Sequence, residues 1–151
     1  MNVAFVINVY ARLIVGWRAS RTANARFVLD ALEQAIYQHT PAQGQLVHHP
    51  DRNICRSNTL NGWQKLKLLR PSVASGGSYD SALAETINGL FKAEVMHRRG
   101  PWGSFEAVEY ATLEWVDWFN NRRLPESIGD IAPTEVEANY HAALERSDMA
   151  A

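Results

Sequence analysis

The sequence predicts an α/β fold, a mixed sheet of about four strands with helices on both faces. Three observations carry this reading. Apolar, β-rich runs occur at the start of the chain and again near residues 46–49, amphipathic segments at helical spacing lie between and after them, and the 151 residues suit one domain. There is no internal repeat and no low-complexity tract.

Asn2 to Val9 is a continuous β-rich run, Leu13 to Arg18 is a second, and Tyr10-Ala11-Arg12 joins them, which predicts a buried antiparallel hairpin. Thr22 is placed to cap a helix that runs to about His39. Its Phe27, Val28, Ala31, Leu32, Ala35 and Ile36 follow helical spacing, and Pro41 and Gly44 close it. Leu46 to His49 is a short strand ended by Pro50-Asp51, and the hairpin is expected to lie beside it. Leu60 to Leu69 reads as helical, Pro71 to Val73 as extended, and Ser75-Gly76-Gly77-Ser78 as a loop. A helix starting at Asp80 or Ser81 reaches about His97, with Leu83, Ile87, Leu90 and Phe91 as its apolar stripe. Gly100-Pro101-Trp102-Gly103 breaks it. Ser104 then caps a helix from Phe105 to about Asn121, where Glu106 and Glu109 complement the N-terminal dipole. On this reading residues 1–124 form the core, and residues 125–151 form a tail with a short helix after Pro133.

A hydrophobic content of 46% is ordinary for a globular protein. The single cysteine, Cys55, cannot form an internal disulfide and suits a reducing cytoplasm. No apolar run approaches the roughly 20 residues that span a bilayer, so no membrane association is expected. Met1 to Tyr10 lacks a basic leader and reads as a strand. The net charge of −1 hides an asymmetry: residues 1–75 carry nine Lys/Arg against three Asp/Glu, and residues 76–151 carry six against thirteen. A basic half is compatible with phosphate contacts, and equally with two differently solvated faces.

Two acidic residues are candidates for chemistry. Asp51 follows a short strand, where ligands of open α/β sheets gather, although taken alone it reads as a turn aspartate. Glu85 lies one turn into a helix, opposite Leu83 and Ile87, and shares a face with Asn88 and Lys92. Taken alone that face is a solvated one. Together, carboxylates from separate elements suit Mg²⁺ or Mn²⁺, and two such ions can support an in-line displacement at phosphorus. His48 and His49 adjoin Asp51, and adjacent strand residues point to opposite sides, so one of them can border a site there. No His/Cys cluster has zinc spacing, and there is no Gly-rich phosphate loop or nucleophile elbow. Tyr110, Trp115, Trp118 and Phe119 crowd one helix, as core more simply than as a stacking surface. Arg98-Arg99 and Arg122-Arg123 read as complements to helix ends.

Four ordered segments resemble the integrase core of insertion-sequence transposases, in the large group commonly made by frameshifting between two reading frames. Val3 to Arg12, continuing through Ile14-Val15-Gly16-Trp17, looks like that family's hairpin. His49-Pro50-Asp51-Arg52 resembles its H-S-D-R-G, and Ser78 to Glu85 resembles its S-Y-D-N-A-L-A-E. Trp118-Phe119-Asn120-Asn121-Arg122-Arg123 resembles a late aromatic-aromatic-N-x-x-R pattern. Four motifs in order are far more specific than any one of them.

The resemblance implies a ribonuclease-H-like fold and a D-D-E site for Mg²⁺ or Mn²⁺, with Asp51 as the second acid and Glu85 as the third. It implies a place for Lys92 near a DNA backbone, and Arg52 and Arg56 flank the acids as further phosphate contacts. The family's first acid lies on a strand ahead of the hairpin, so the expectation is a truncated core with the first strand missing. Asn8 stands where the family commonly has Asp, Ser81 replaces Asn, and Asn53-Ile54-Cys55-Arg56 departs from the usual G-x-Q-Y. The 33 residues between Asp51 and Glu85 are slightly fewer than usual. The implied partner is DNA, at transposon ends and target, within the cytoplasm and nucleoid of a bacterium. The implied reaction is DNA cleavage and transfer, expected to be inactive in this segment alone. The alternative is a non-enzymatic partner of a full-length transposase or of its own copies, and a stand-alone ribonuclease-H-like nuclease ranks last.

Overall fold

The computed structural model describes residues 1–8, 10–22, 24–39, 46–48, 69–71 and 77–150. The order is β1 (Asn2–Ile7), β2 (Ile14–Ser20), α1 (Ala25–His39), β3 (Leu46–His48), β4 (Leu69–Pro71), α2 (Gly77–Phe91), a π-helical turn (Lys92–His97), α3 (Phe105–Asn121), a 3₁₀ turn (Glu126–Ile128) and α4 (Pro133–Ala150). The α/β class is as the sequence predicts.

β1 and β2 form the expected antiparallel hairpin, with Phe5 opposite Trp17. Its turn is held by Asn8, whose Oδ1 accepts from the backbone N–H groups of Tyr10 (3.0 Å) and Ala11 (3.1 Å). A carboxylate makes the same Asx turn, so the departure from Asp at this position leaves the hairpin intact. Val6 pairs with Gly16 and Ile7 with Ile14, so Val15 is the extra residue of a bulge. The bulge lets Ile14 and Trp17, three apart, both face the main core. Gly16 faces α1 instead, and a Cβ there would run into the carbonyl oxygen of Ala31. Helices therefore cover both faces of the hairpin.

The main core lies on the side away from α1. Ile87 and Phe91 of α2, Val95 of the π turn, and Ala111, Trp115, Val116 and Phe119 of α3 meet Val3, Phe5 and Ile7 of β1. Phe5 sits 5.1 Å from Phe91 and 5.8 Å from Trp115, centroid to centroid, in edge-on and tilted arrangements that aromatic rings favour. Buried Thr112 satisfies its hydroxyl by donating to the carbonyl of Val108 at 2.7 Å. Trp115 and Phe119 are core residues, as the spacing predicts, but Tyr110 is exposed and Trp118 partly so.

Several boundaries differ from the sequence reading. Asn24, not Thr22, caps α1: its Oδ1 accepts from the N–H groups of Arg26 (3.1 Å) and Phe27 (3.4 Å). It directly precedes the first helical residue, the place where a side-chain oxygen reaches the free amides. α2 begins at Gly77, ahead of Asp80, and its continuation widens into a π turn from Lys92. The final helix is 18 residues long rather than short. The predicted helix over residues 60–69 lies outside the described residues, except that Leu69 opens β4.

The single mixed sheet is also corrected. Among the described residues the strands form two pairs, antiparallel β1–β2 and parallel β3–β4, with no pairing between the hairpin and β3. Alternation in the sequence fixes which face a strand buries. Its partner across the chain depends on tertiary context, which no local pattern carries.

Candidate active site

α2 presents the surface that the sequence reading singles out. Ile87 and Phe91 point into the core, and on the opposite side Glu85, Asn88 and Lys92 are all exposed. Their spacing of three and four residues stacks them along one stripe of the helix. Glu85 and Lys92 are both exposed, and neither takes part in an ion pair or side-chain hydrogen bond with another described residue. Thr86, next to Glu85, turns its hydroxyl back to the carbonyl of Ala82 at 2.8 Å.

Glu85 and Lys92 are thus placed together, and the other candidates are not brought to them within view. Asp51, Arg52, Arg56 and His49 lie outside the described residues. His48 ends β3, and its side chain lies outside them as well. Among the described residues no three His, Cys, Asp or Glu side chains come together. A solvent-facing carboxylate is a hard oxygen donor of the kind Mg²⁺ or Mn²⁺ takes, so Glu85 fits one share of such a site, though one carboxylate does not make it.

Two residues of the late motif have roles that composition and spacing did not reveal. Asn120 makes a two-point bond to the backbone of Ile14: it accepts from the N–H at 2.9 Å and donates to the carbonyl at 2.9 Å. Arg123, read from sequence as a helix-end complement, instead donates to both carboxylate oxygens of Glu94, at 2.9 and 3.1 Å. Its guanidinium also lies over the rings of Trp118 and Phe119, at 5.3 and 5.5 Å. Glu94 further accepts from the indole N–H of Trp115 at 2.7 Å. Partial burial pushes the Glu94 carboxyl up, but the Trp115 and Arg123 hydrogen bonds and the charges of Arg123 and Arg98 outweigh it, holding Glu94 below its ordinary value of 4.5. The only signal in the sequence was the motif itself. Arg99 also has a partner, Glu114 at 3.2 Å.

The comparisons with known proteins bear on the same stretch. A family model described as an integrase core domain matches residues 85–139, from Glu85 through the first turns of α4. The transposase for insertion sequence element IS629 of Shigella sonnei is 48% identical over 152 residues, covering 99% of this chain and 50% of that protein. A candidate transposase of element IS986/IS6110 from Mycobacterium tuberculosis is 47% identical over 152 residues, covering 95% of this chain and 54% of its own length. Transposase InsF of IS3A from Escherichia coli K12 is 26% identical over 139 residues, covering 91% and 48%. No solved structure matches the chain significantly.

The family match places residues 85–139 in an integrase core, and the α/β element order is compatible with one. The chain belongs to the insertion-sequence transposase family, and it spans about half the length of the curated relatives it matches. No described helix is long and apolar enough to cross a membrane.

Proposed function

We propose that this segment is part of the catalytic core of a D-D-E transposase with a ribonuclease-H-like fold, and that it acts in metal-dependent DNA cleavage and strand transfer. The observation that carries the proposal is the pairing of an exposed carboxylate, Glu85, with an exposed ammonium, Lys92, two turns apart on one face of α2. The integrase-core match begins at that same Glu85.

Asp51 and Glu85 would hold the Mg²⁺ or Mn²⁺, which when bound lowers the cost of charge build-up on the attacking and leaving oxygens. Lys92, Arg52 and Arg56 neutralise backbone phosphates and fix the strand against the acids. His48 or His49 would border the metal site beside Asp51. The DNA of transposon ends and target is the partner, in the cytoplasm and nucleoid of a bacterium, with further copies or a longer transposase completing the assembly.

Holding two metal ions takes about three carboxylates, and the motifs in these 151 residues supply two. The polypeptide of these residues alone is therefore expected not to cleave or join DNA at a measurable rate, since unassisted phosphodiester cleavage is extremely slow. In that form it would act as a non-enzymatic partner. The test is a strand-transfer assay in Mg²⁺ and in Mn²⁺, comparing this polypeptide with one extended by the family's upstream strand and its aspartate. Product from the extended form only is expected. Metal-dependent product from the 151-residue polypeptide would contradict the account of the acids.

A further inference from the structure

Asn120, in the last turn of α3, and Arg123, just past its C-cap, each grip a different part of the fold. Asn120 takes both backbone groups of Ile14, where β2 begins beside its bulge. The side-chain amide meets the N–H and the carbonyl of Ile14 together, as the backbone of a neighbouring strand would. Arg123 takes both oxygens of Glu94, in the π turn that continues α2 directly after Lys92. Trp115, one helical turn behind Phe119 on α3, adds its indole N–H to the same carboxylate. The widened turn is what allows Val95 to enter the core while its neighbour Glu94 faces α3.

We propose that Asn120 and Arg123 are positioning residues, a two-jawed clamp that holds the hairpin and the helix carrying Glu85 and Lys92 at one fixed separation. The consequence for catalysis rests on the transposase reading; the clamp itself does not. Apolar packing between α2, α3 and β1 is non-directional and tolerates sliding. The two amide bonds of Asn120 and the charge-assisted contact of Arg123 Nη1, shared by both Glu94 oxygens, are directional and do not. Asn120 lies in the last turn of α3, and Arg123, just past its C-cap, is tied back to it by its N–H on the Trp118 carbonyl at 3.1 Å, so a shift of either element breaks a bond to that end. Thr134 reinforces that end, its hydroxyl donating to the Asn120 carbonyl at 3.1 Å.

The test measures the separation directly. Spin labels are placed at Gly89, where an added side chain meets nothing within 4 Å, and at exposed Arg18 on β2, in the full 151-residue chain with Cys55→Ser. Pulsed dipolar spectroscopy reads the distance distribution, with circular dichroism reporting that each variant is folded. The unaltered clamp is expected to give one narrow distribution. Asn120→Ala, Arg123→Gln and Glu94→Gln should each broaden or shift it, and Arg123→Lys, which keeps the charge but loses the planar group over Trp118 and Phe119, should fall between. Asn120→Asp, which keeps the acceptor and loses the donor, serves if Asn120→Ala does not fold. A distribution unchanged in the folded variants overturns the clamp, whatever the strand-transfer assay gives. A broadened distribution with strand transfer by the extended chain undiminished upholds the clamp and tells instead against the assignment of Glu85.

Discussion

Motifs mark Asp51 and Glu85 as candidate acids, but Asn120 and Arg123 show what a motif leaves out. A motif marks a position without saying what the side chain touches. Asn120 bonds a backbone 106 residues away, a contact no local pattern carries. Glycine offers a similar lesson. Gly16 lies within a recognisable hairpin, yet its need for hydrogen in place of a side chain comes from Ala31 and Ala35 of α1. Gly16→Ala is expected to destabilise the chain by about 1–3 kcal/mol, because helix backbone rather than a flexible side chain stands in the way. Chemical denaturation would check this, and Gly89→Ala, with open space around it, is expected to cost nothing and to stabilise the helix slightly.

Glu94 gives a pH dependence whose sign is fixed. Its folded carboxyl ionises below 4.5, so the ionised form favours the folded state. The stability it contributes is fully present above the unfolded value and is lost as pH falls through the lower folded one. The groups facing it are Arg98, Arg123 and Trp115. Thermal melts of the unaltered chain and of Glu94→Gln should therefore differ most near neutral pH and converge at the acid end. A gap that widens on acidification would show that the carboxyl is not held by these partners.

At the scale of elements, the hairpin and the Ser104-capped helix were readable because their signals are local. Ser104 accepts from the Ala107 N–H at 3.1 Å, three residues on, as a capping serine should. The start of α2 and the pairing of β3 with β4 were not readable, because parallel pairing is non-local and helix extension into a glycine-rich segment runs against propensity. The length of α4 was missed for another reason. Ala132 and Pro133 are buried, Glu135 reaches back to the Ala132 N–H at 3.2 Å, and Tyr140 stacks 5.4 Å from Tyr10, but residues 138–150 are exposed and give no amphipathic pattern to read. Removing residues 142–150 should therefore leave the melting temperature nearly unchanged, whereas Tyr140→Ala should lower it. A large loss of stability on the truncation would mean that the outer turns are packed against something.

At the scale of the molecule, the charge asymmetry meets the transposase reading. The basic half holds Arg52 and Arg56, and Lys92 opens the π turn at the end of the Glu85 helix. Binding to DNA is expected to be weak, sequence-independent and salt-sensitive, with each neutralised phosphate adding about 0.9 to the log–log salt slope. Lys92→Ala should lower that slope by roughly one contact, measured by fluorescence anisotropy across a salt series. The account as a whole depends on Glu85 being one of the catalytic acids, and one measurement bears on it most directly. In the chain extended by the upstream strand and its aspartate, strand transfer in Mg²⁺ and Mn²⁺ is compared between the unaltered sequence and Glu85→Gln, with circular dichroism to show both are folded. The account predicts a loss of at least about a hundredfold, since the amide keeps the shape and removes the charge that holds a metal ion. Transfer by Glu85→Gln at the unaltered rate would contradict it.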